Sequence, residues 1–328
     1  MQSVPFTQPS PSSPSSPPSK PSLPSEEKSR IMAKRNLLLC LDAFGTLYTP
    51  KAPIATQYSE VAKSLGLSGF SDADLTTSFR AAFKHESKIN PNYGRATSLG
   101  SEKWWTSIIH GTFAPHLSEG QAMPKDLAPK LIERFNSKEG FTMYPDVLPL
   151  LRKLREDGRE SSGKVVVGVI TNSDDRTPDI LKSLGLKVHP MRFGQTNAAV
   201  PAGLGDFDID FTVMSYDVGH EKPDGRCFEA AEELLRMTMQ GSSAPGESFD
   251  LDTWHKIYVG DEYGKDVQGA LGAGWHAVLI HREAESIPKD VKWMDDVPPG
   301  SLIDVFAEVG AVGFSSLANL TEWLPLRP

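Results

Sequence analysis

Residues 37–47 constrain the fold of this 328-residue chain more than any other segment. Five apolar residues run without interruption into Asp42, and a Gly-Thr pair follows after two intervening residues. Such a run is typical of a strand buried on both faces, and ligands of open α/β sheets bind where strands end. Asp42 is therefore a candidate nucleophile for attack on phosphorus or carbon. An aspartate that only forms a turn after a buried strand is the alternative.

Three further apolar runs, at residues 164–170, 211–215 and 257–260, are each followed by polar residues. In chain order these residues are Thr171 with Asn172, then Lys222, then Asp261 with Asp266. Together with Asp42, their order and character resemble the four motifs of the haloacid dehalogenase-like (HAD) hydrolase superfamily. The resemblance extends from about residue 34 to the mid-280s. Residues 90–94 and 99–105 are similar to a eukaryotic branch of that superfamily.

The resemblance implies an α/β fold, with a Rossmann-like, doubly wound parallel sheet and an inserted helical cap. It also implies catalytic roles. Asp42 would be the nucleophile, and Thr171 and Asn172 would hydrogen-bond a substrate oxygen. Lys222 would neutralise both Asp42 and the substrate. The structural alternatives are a helix cap for Thr171 and a solvated surface lysine for Lys222.

The fourth motif holds magnesium in the phosphatase members of the superfamily, and Mg²⁺ prefers carboxylate and water oxygens. The resemblance implies that Asp42, Asp261 and the backbone carbonyl of Phe44 bind the ion. Asp266 would lie just outside the ligands or orient a water molecule. Three carboxylates clustered without a cation would repel one another, so we expect a bound divalent ion, Mg²⁺.

Phe44 departs from the phosphatase pattern, in which a second aspartate two residues after the nucleophile donates and accepts protons. The dehalogenase members also lack this acid, since a halide leaves without a proton. The first hypothesis is therefore a Mg²⁺-dependent phosphohydrolase of weak or narrow activity on a small phosphorylated metabolite. The second is a 2-haloacid dehalogenase-type hydrolase. The third is a catalytically weak protein that acts by binding a ligand or partner.

Helical periodicity dominates residues 51–144, which predicts a cap domain inserted into a core formed by residues 34–50 and 145–328. From residue 164 onwards, strands alternate with helices, as in a parallel sheet. Residues 1–33 are rich in Pro and Ser and predict a disordered tail. Arg80, on a predicted cap helix, matches by rough position an arginine that receives the substrate in dehalogenases. A solvated helix face is the alternative.

Composition limits the partners. A net charge of -8 argues against nucleic acid, because phosphate backbones require a surplus of Lys and Arg. No apolar stretch is long enough to cross a bilayer, and the N-terminal segment has no apolar core of a secretory signal. We therefore expect a small-molecule substrate and no membrane partner, in the cytoplasm or nucleus. The oligomeric state and the physiological substrate stay open.

Overall fold

A parallel sheet forms the centre of the protein in a computed structural model that describes residues 36–160, 163–195, 206–240, 249–283 and 286–324. The predicted tail at 1–33 lies outside these ranges. The strands are β1 (Asn36–Leu41), β2 (Tyr48–Pro50), β3 (Phe141–Met143), β4 (Val165–Thr171), β5 (Phe211–Met214), β6 (Trp254–Gly260), β7 (His276–Ile280), β8 (Lys292–Trp293) and β9 (Ala311–Phe314). Seven of them form the sheet, in the order β5-β4-β1-β6-β7-β9-β8.

Helices connect these strands. They are α1 (Ile54–Ser64), α2 (Asp72–Ile89), α3 (Ser101–Phe113), α4 (Leu127–Arg134), α5 (Val147–Glu160), α6 (Thr177–Ser183), α7 (Ser215–Val218), α8 (Arg226–Gln240), α9 (Gln268–Gly272), α10 (Leu302–Phe306) and α11 (Leu317–Thr321). The strands of the sheet pair in parallel and apolar cores cover both faces. This architecture confirms the predicted doubly wound α/β class. Among the described residues, every helix is too short or too polar to cross a lipid bilayer.

The position of β1 explains its uninterrupted apolar sequence. It lies between β4 and β6, and its side chains point alternately into two cores. Leu37, Leu39 and Leu41 enter one core, whereas Leu38 and Cys40 enter the other. The chain leaves β1 towards β4 and β5 and later returns to its other side with β6. Strand order therefore reverses beside β1, and such a switch point is where ligands bind in α/β sheets.

Helices α1 to α4 lie between β2 and β3 and share a core of their own around Tyr58, Leu75 and Phe113. Ser71 starts α2 with a capping box: its side chain accepts from the backbone N–H of Asp74, whose carboxylate accepts from the backbone of Ser71. The short strands β2 and β3 pair antiparallel at the two connections to the sheet. The sequence pattern did not predict this ribbon or β8 and β9, because each has only two to four residues.

Gly168 supplies a test of packing inside the sheet. It faces Cys40 on β1 and Phe211 on β5, and a Cβ atom there would lie 2.4 Å from the Phe211 ring and 2.8 Å from the Cys40 Sγ. Overpacking of this kind costs about 1–3 kcal/mol, so we expect Gly168→Ala to lower the free energy of unfolding by that amount. Chemical denaturation measures it.

Gly272, near the end of α9, is the matched control, since a Cβ there meets no atom within 4 Å. We expect Gly272→Ala to leave stability unchanged or to raise it slightly, because alanine restricts the unfolded chain. Equal stability of the two variants would contradict the packing described for Gly168.

Candidate active site

The carboxyl ends of three neighbouring strands bring the predicted residues together. Asp42 follows β1, Thr171 ends β4 and Asp261 follows β6, and these strands are adjacent in the order β4-β1-β6. Lys222 enters from the loop between α7 and α8. The loop after β6 adds Asp266, which lies in a π-helical turn, Tyr263–Val267.

Lys222 is the buried centre of this cluster and is only 3% exposed. Its Nζ lies 3.0 Å from Oδ1 of Asp42 and 2.7 Å from Oδ1 of Asp266. Burial alone would lower the pKa of Lys222, but the charges of Asp42 and Asp266 raise it above its ordinary value. The lysine is therefore held as an ammonium, and the solvated surface lysine considered as an alternative is excluded.

Tyr258 completes the surroundings of the ammonium, and sequence analysis missed it. Its hydroxyl accepts a hydrogen bond from Lys222 Nζ at 2.5 Å and donates to the Ile170 carbonyl at 2.6 Å. Tyr258 is fully buried on β6, between Ile257 and Val259. A hydroxyl within the apolar run that ends β6 was the signal that could have identified it, because a buried polar group needs a partner.

Asn172 holds the Lys222 backbone. Its side-chain nitrogen donates to the Lys222 carbonyl at 3.0 Å, and its oxygen accepts from the Lys222 N–H at 2.6 Å. These two bonds fix the loop that carries the ammonium. Thr171 is buried, and its side chain interacts with the Asp42 carboxyl. It does not cap the next helix, since α6 begins only at Thr177.

Asp42, Asp261 and Asp266 each present a carboxylate oxygen, and these oxygens lie within 4.8 Å of one another. Burial raises the pKa of Asp261 to about 7, and the charges of Asp42 and Asp266 add to the rise. Burial also raises the pKa of Asp42, which the charge of Lys222 opposes. Three carboxyl groups thus share one ammonium, and ionisation of all three would leave an excess of negative charge.

The three carboxylates differ in how many of their oxygens are already occupied by partners within the protein, which decides whether they can bind an ion. Asp266 uses both oxygens, one on Lys222 and one on the Glu262 backbone N–H at 2.8 Å. Asp261 accepts from the Thr46 hydroxyl through Oδ1 at 3.0 Å, and Asp42 faces the Lys222 ammonium through Oδ1 at 3.0 Å, so each carboxylate still has its Oδ2 to present to an ion. Asp42 and Asp261 thus offer oxygen to a hard divalent cation, and this donor set fits Mg²⁺.

Gly45 makes room for the acidic cluster, which consists of Asp42, Asp261 and Asp266. A Cβ at this position would lie 2.3 Å from Oδ2 of Asp261, and the backbone has a φ of +87°, which L-residues rarely adopt. The Gly-Thr pair of the first motif therefore serves the fourth motif: the glycine lets the Asp261 carboxylate approach, and Thr46 donates to it.

A cavity of about 330 Å³ opens from Asp42, Thr171, Asn172 and Lys222 towards α1 to α4. Phe44, which is half exposed, lies in its wall and packs edge-on against Tyr48 and Phe141. Most of the remaining wall is formed by aromatic and aliphatic side chains.

Arg80 does not join this site. It is exposed on α2 and is not among the cavity-lining residues. Arg176, which sequence analysis did not single out, lines the cavity instead, paired with Asp174 and lying over the Trp105 ring at 4.8 Å. Sequence position alone could not find it, because Arg176 reaches the cavity from the loop after β4.

The helical segment, residues 51–144 with helices α1 to α4, contacts the loop after β4 directly. Trp105 Nε1 donates to Asp174 at 2.5 Å, the Ser101 hydroxyl donates to Asp175 at 2.6 Å, and the Tyr93 hydroxyl donates to the Asn172 carbonyl at 2.8 Å. Tyr93 and Trp105 therefore lie both in the cavity wall and at this contact, whereas Trp104 is buried.

Comparison with known proteins identifies the relatives. A family model described as haloacid dehalogenase-like hydrolase matches residues 37–274. The haloacid dehalogenase-like hydrolase domain-containing protein 3 of Mus musculus is 29% identical over 262 residues, which cover 80% of this chain and 87% of that protein. The protein of the same name in Danio rerio is 28% identical and covers 82% of this chain and 93% of its own length. These matches confirm the resemblance inferred from the motifs.

A solved structure of a defluorinating L-2-haloacid dehalogenase aligns with 89% of this chain and 96% of its own, with a TM-score of 0.53. Its sequence is 15% identical, so the match supports the fold alone.

Because the carboxylates of the acidic cluster repel one another, we expect removal of one of their charges to raise the melting temperature. Asp261→Asn keeps the shape of the side chain and an acceptor for Thr46 but removes one of three repelling charges. In buffer with EDTA we expect a melting temperature roughly 2–4 °C above wild type, which corresponds to about 1 kcal/mol. Differential scanning fluorimetry measures it.

Asp296→Asn, on the exposed surface, is the matched control and should leave the melting temperature unchanged. A lower melting temperature of Asp261→Asn alone would show that the carboxylate stabilises the metal-free fold.

Proposed function

Because the chain belongs to the haloacid dehalogenase-like hydrolase family, we propose that it is a Mg²⁺-dependent phosphohydrolase that uses Asp42 as its nucleophile. The substrate is a small phosphorylated metabolite, and the activity is weak or narrow. The observation that carries the proposal is the acidic cluster, in which carboxylate oxygens of Asp42, Asp261 and Asp266 lie within 4.8 Å of one another, a spacing that fits a divalent ion. A dehalogenase has no need of such an ion.

Asp42 attacks the substrate phosphorus, and the bond between phosphorus and the leaving oxygen breaks with its electron pair on that oxygen. An aspartyl phosphate forms on Asp42. Water then attacks its phosphorus, which releases inorganic phosphate and restores the carboxylate. Lys222 stabilises the negative charge on Asp42 and on the transferring group, and Thr171 donates a hydrogen bond to a phosphoryl oxygen.

Mg²⁺ held by Asp42, Asp261 and the Phe44 carbonyl would neutralise charge on the phosphoryl group. The other polar residues position this machinery. Asp266, which is not itself a ligand of the ion in this proposal, orients Lys222. The Asn172 side chain fixes the loop that carries Lys222 through two hydrogen bonds to the Lys222 backbone. The Tyr258 hydroxyl accepts a further hydrogen bond from the ammonium.

The helical segment 51–144 acts in this proposal as a cap domain over a core formed by residues 34–50 and 145–328. Its contacts through Ser101, Trp105 and Tyr93 close the cavity on the side of the β4 loop. A closed cavity excludes water and so strengthens the electrostatic interactions around Asp42.

A 2-haloacid dehalogenase-type hydrolysis is the second candidate, and Phe44 favours it. In that reaction Asp42 attacks carbon, halide leaves without a proton, and water hydrolyses the resulting ester. The carboxylate of a haloacid would need a cation in the cavity. Arg176 already pairs with Asp174 through three hydrogen bonds, and Arg80 lies away from the cavity, so we favour the phosphohydrolase.

Asp42→Asn tests the proposed chemistry. It preserves shape but removes the nucleophile, so we expect turnover of phosphate esters to fall on the order of 10³-fold or more. A screen of phosphate esters and 2-haloacids, with Mg²⁺ or with EDTA, measures it, and Asp296→Asn is the control with wild-type activity.

Phosphate release should require Mg²⁺, and Mg²⁺ should raise the melting temperature of wild type but not that of Asp261→Asn. Halide release that persists in EDTA would establish the dehalogenase instead. Wild-type turnover of Asp42→Asn on every substrate would overturn both reactions.

Phe44 supplies a second test. General acid catalysis is worth about 10²–10⁴-fold, so Phe44→Asp should raise turnover of alkyl phosphates, whose leaving groups need a proton. Phe44→Asn is the matched control, because it loses the same ring contacts without gaining an acid. Steady-state kinetics on both variants compares them. Equal wild-type rates on aryl and alkyl phosphates would mean that another residue donates the proton.

A further inference from the structure

The cavity above Asp42 has walls that suit a flat apolar group. Its aromatic rings come from the sheet side and from the helical segment, and they include Phe44, Tyr48, Tyr58, Phe79, Phe83 and Trp105. Some lie edge to face with their neighbours: the ring centroids of Phe44 and Tyr48 are 6.1 Å apart, and those of Tyr58 and Phe79 are 5.5 Å apart. Such edges and faces attract another aromatic ring.

Two of the tyrosine hydroxyls in the wall already have partners within the protein. The Tyr93 hydroxyl donates to the Asn172 carbonyl at 2.8 Å, and the Tyr48 hydroxyl interacts with Thr177. Burial raises the pKa of Tyr48 and Tyr58, which keeps both as neutral phenols.

The charged side chains that line the cavity beyond the acidic cluster are paired with one another among the described residues. Arg176 binds Asp174 with Nε at 3.0 Å and Nη2 at 2.8 Å. Lys265 binds Glu262 at 2.8 Å. A leaving group that carries its own charge, or many hydroxyls, would lose hydration here without finding an unpaired partner.

The chemistry at Phe44 leads to the same class of leaving group by a separate route. With phenylalanine at this position, the group that departs from phosphorus receives no proton there from a carboxyl side chain. An aryl oxide needs none at that step: the phosphorus–oxygen bond breaks, the electron pair stays on a resonance-stabilised phenolate, and water protonates it later. An alkoxide of high pKa would depart slowly.

From these two observations, the aromatic cavity and Phe44, we infer that the substrates are aryl phosphate monoesters. The phosphate lies at Asp42, Thr171 and Lys222, and the aromatic ring of the alcohol lies among the rings of the cavity. This inference rests on the proposed phosphohydrolase function and specifies its substrate class.

Three esters separate the contribution of the cavity from that of the leaving group. These are 2-naphthyl phosphate, acetyl phosphate, which is small but leaves as a stable anion, and glycerol 1-phosphate. We expect a KM for 2-naphthyl phosphate at least about tenfold below that for acetyl phosphate, since ring stacking stabilises only the former. Glycerol 1-phosphate should be the poorest substrate of the three.

Phe83→Ala removes one ring of the wall, which is 37% exposed and so tolerates truncation. It should reduce the preference for 2-naphthyl over acetyl phosphate by about tenfold. Ile89→Ala, also on α2 and half exposed, lies outside the cavity lining and should leave the preference unchanged.

Titration of Asp42→Asn with 2-naphthol by calorimetry adds a measurement that does not depend on turnover. Binding that Phe83→Ala weakens supports the inference. Acetyl phosphate hydrolysis that depends on Asp42, without naphthol binding and without a preference for the naphthyl ester, would overturn this inference and leave the proposed function standing. Failure to hydrolyse any of the three esters would overturn both.

Discussion

One buried ammonium organises the site. Lys222 lies where solvation is lost, and an unpaired charge there would cost several kcal/mol, so its partners are obligatory. Asp42, Asp266 and Tyr258 surround its Nζ, and Asn172 clamps its backbone. The arrangement connects the ends of β1, β4 and β6 to the loop before α8. Because each partner depends on the others, the charge to which we assign a catalytic role also fixes the geometry of the loops around it.

The sequence predicted the sheet because its signals are local. An apolar run predicts β1 and β6 without knowledge of the rest of the chain, whereas the candidate roles of Asp42 and Asp261 came from the order of all four motifs. Parallel sheets are buried on both faces, so their strands lack the alternation that would confuse them with surface strands. The helical segment was equally visible, since α1 to α4 each carry apolar residues at helical spacing. Its role as a cap stays a prediction.

Features that depend on contacts between distant segments were not predictable. The β2–β3 ribbon pairs residues about ninety positions apart in three-residue strands, too short for any periodic signal. Arg80 was selected by rough position along a helix, but the α2 face that carries it points to solvent. Arg176 and Tyr258 reach the site because their strands and loops end there, and neither stands out in the sequence.

Phe44 shows how one residue can couple chemistry to specificity. It follows Asp42, the proposed nucleophile, by two residues, and its ring forms part of the cavity wall with Tyr48 and Phe141. A side chain at this position cannot both donate a proton and extend an apolar wall. In the proposed phosphohydrolase, the absence of an acid at this position would restrict turnover to groups that leave as stabilised anions, and the ring would favour binding of the aromatic groups that do so. The two consequences therefore reinforce each other, which makes the phenylalanine compatible with hydrolysis.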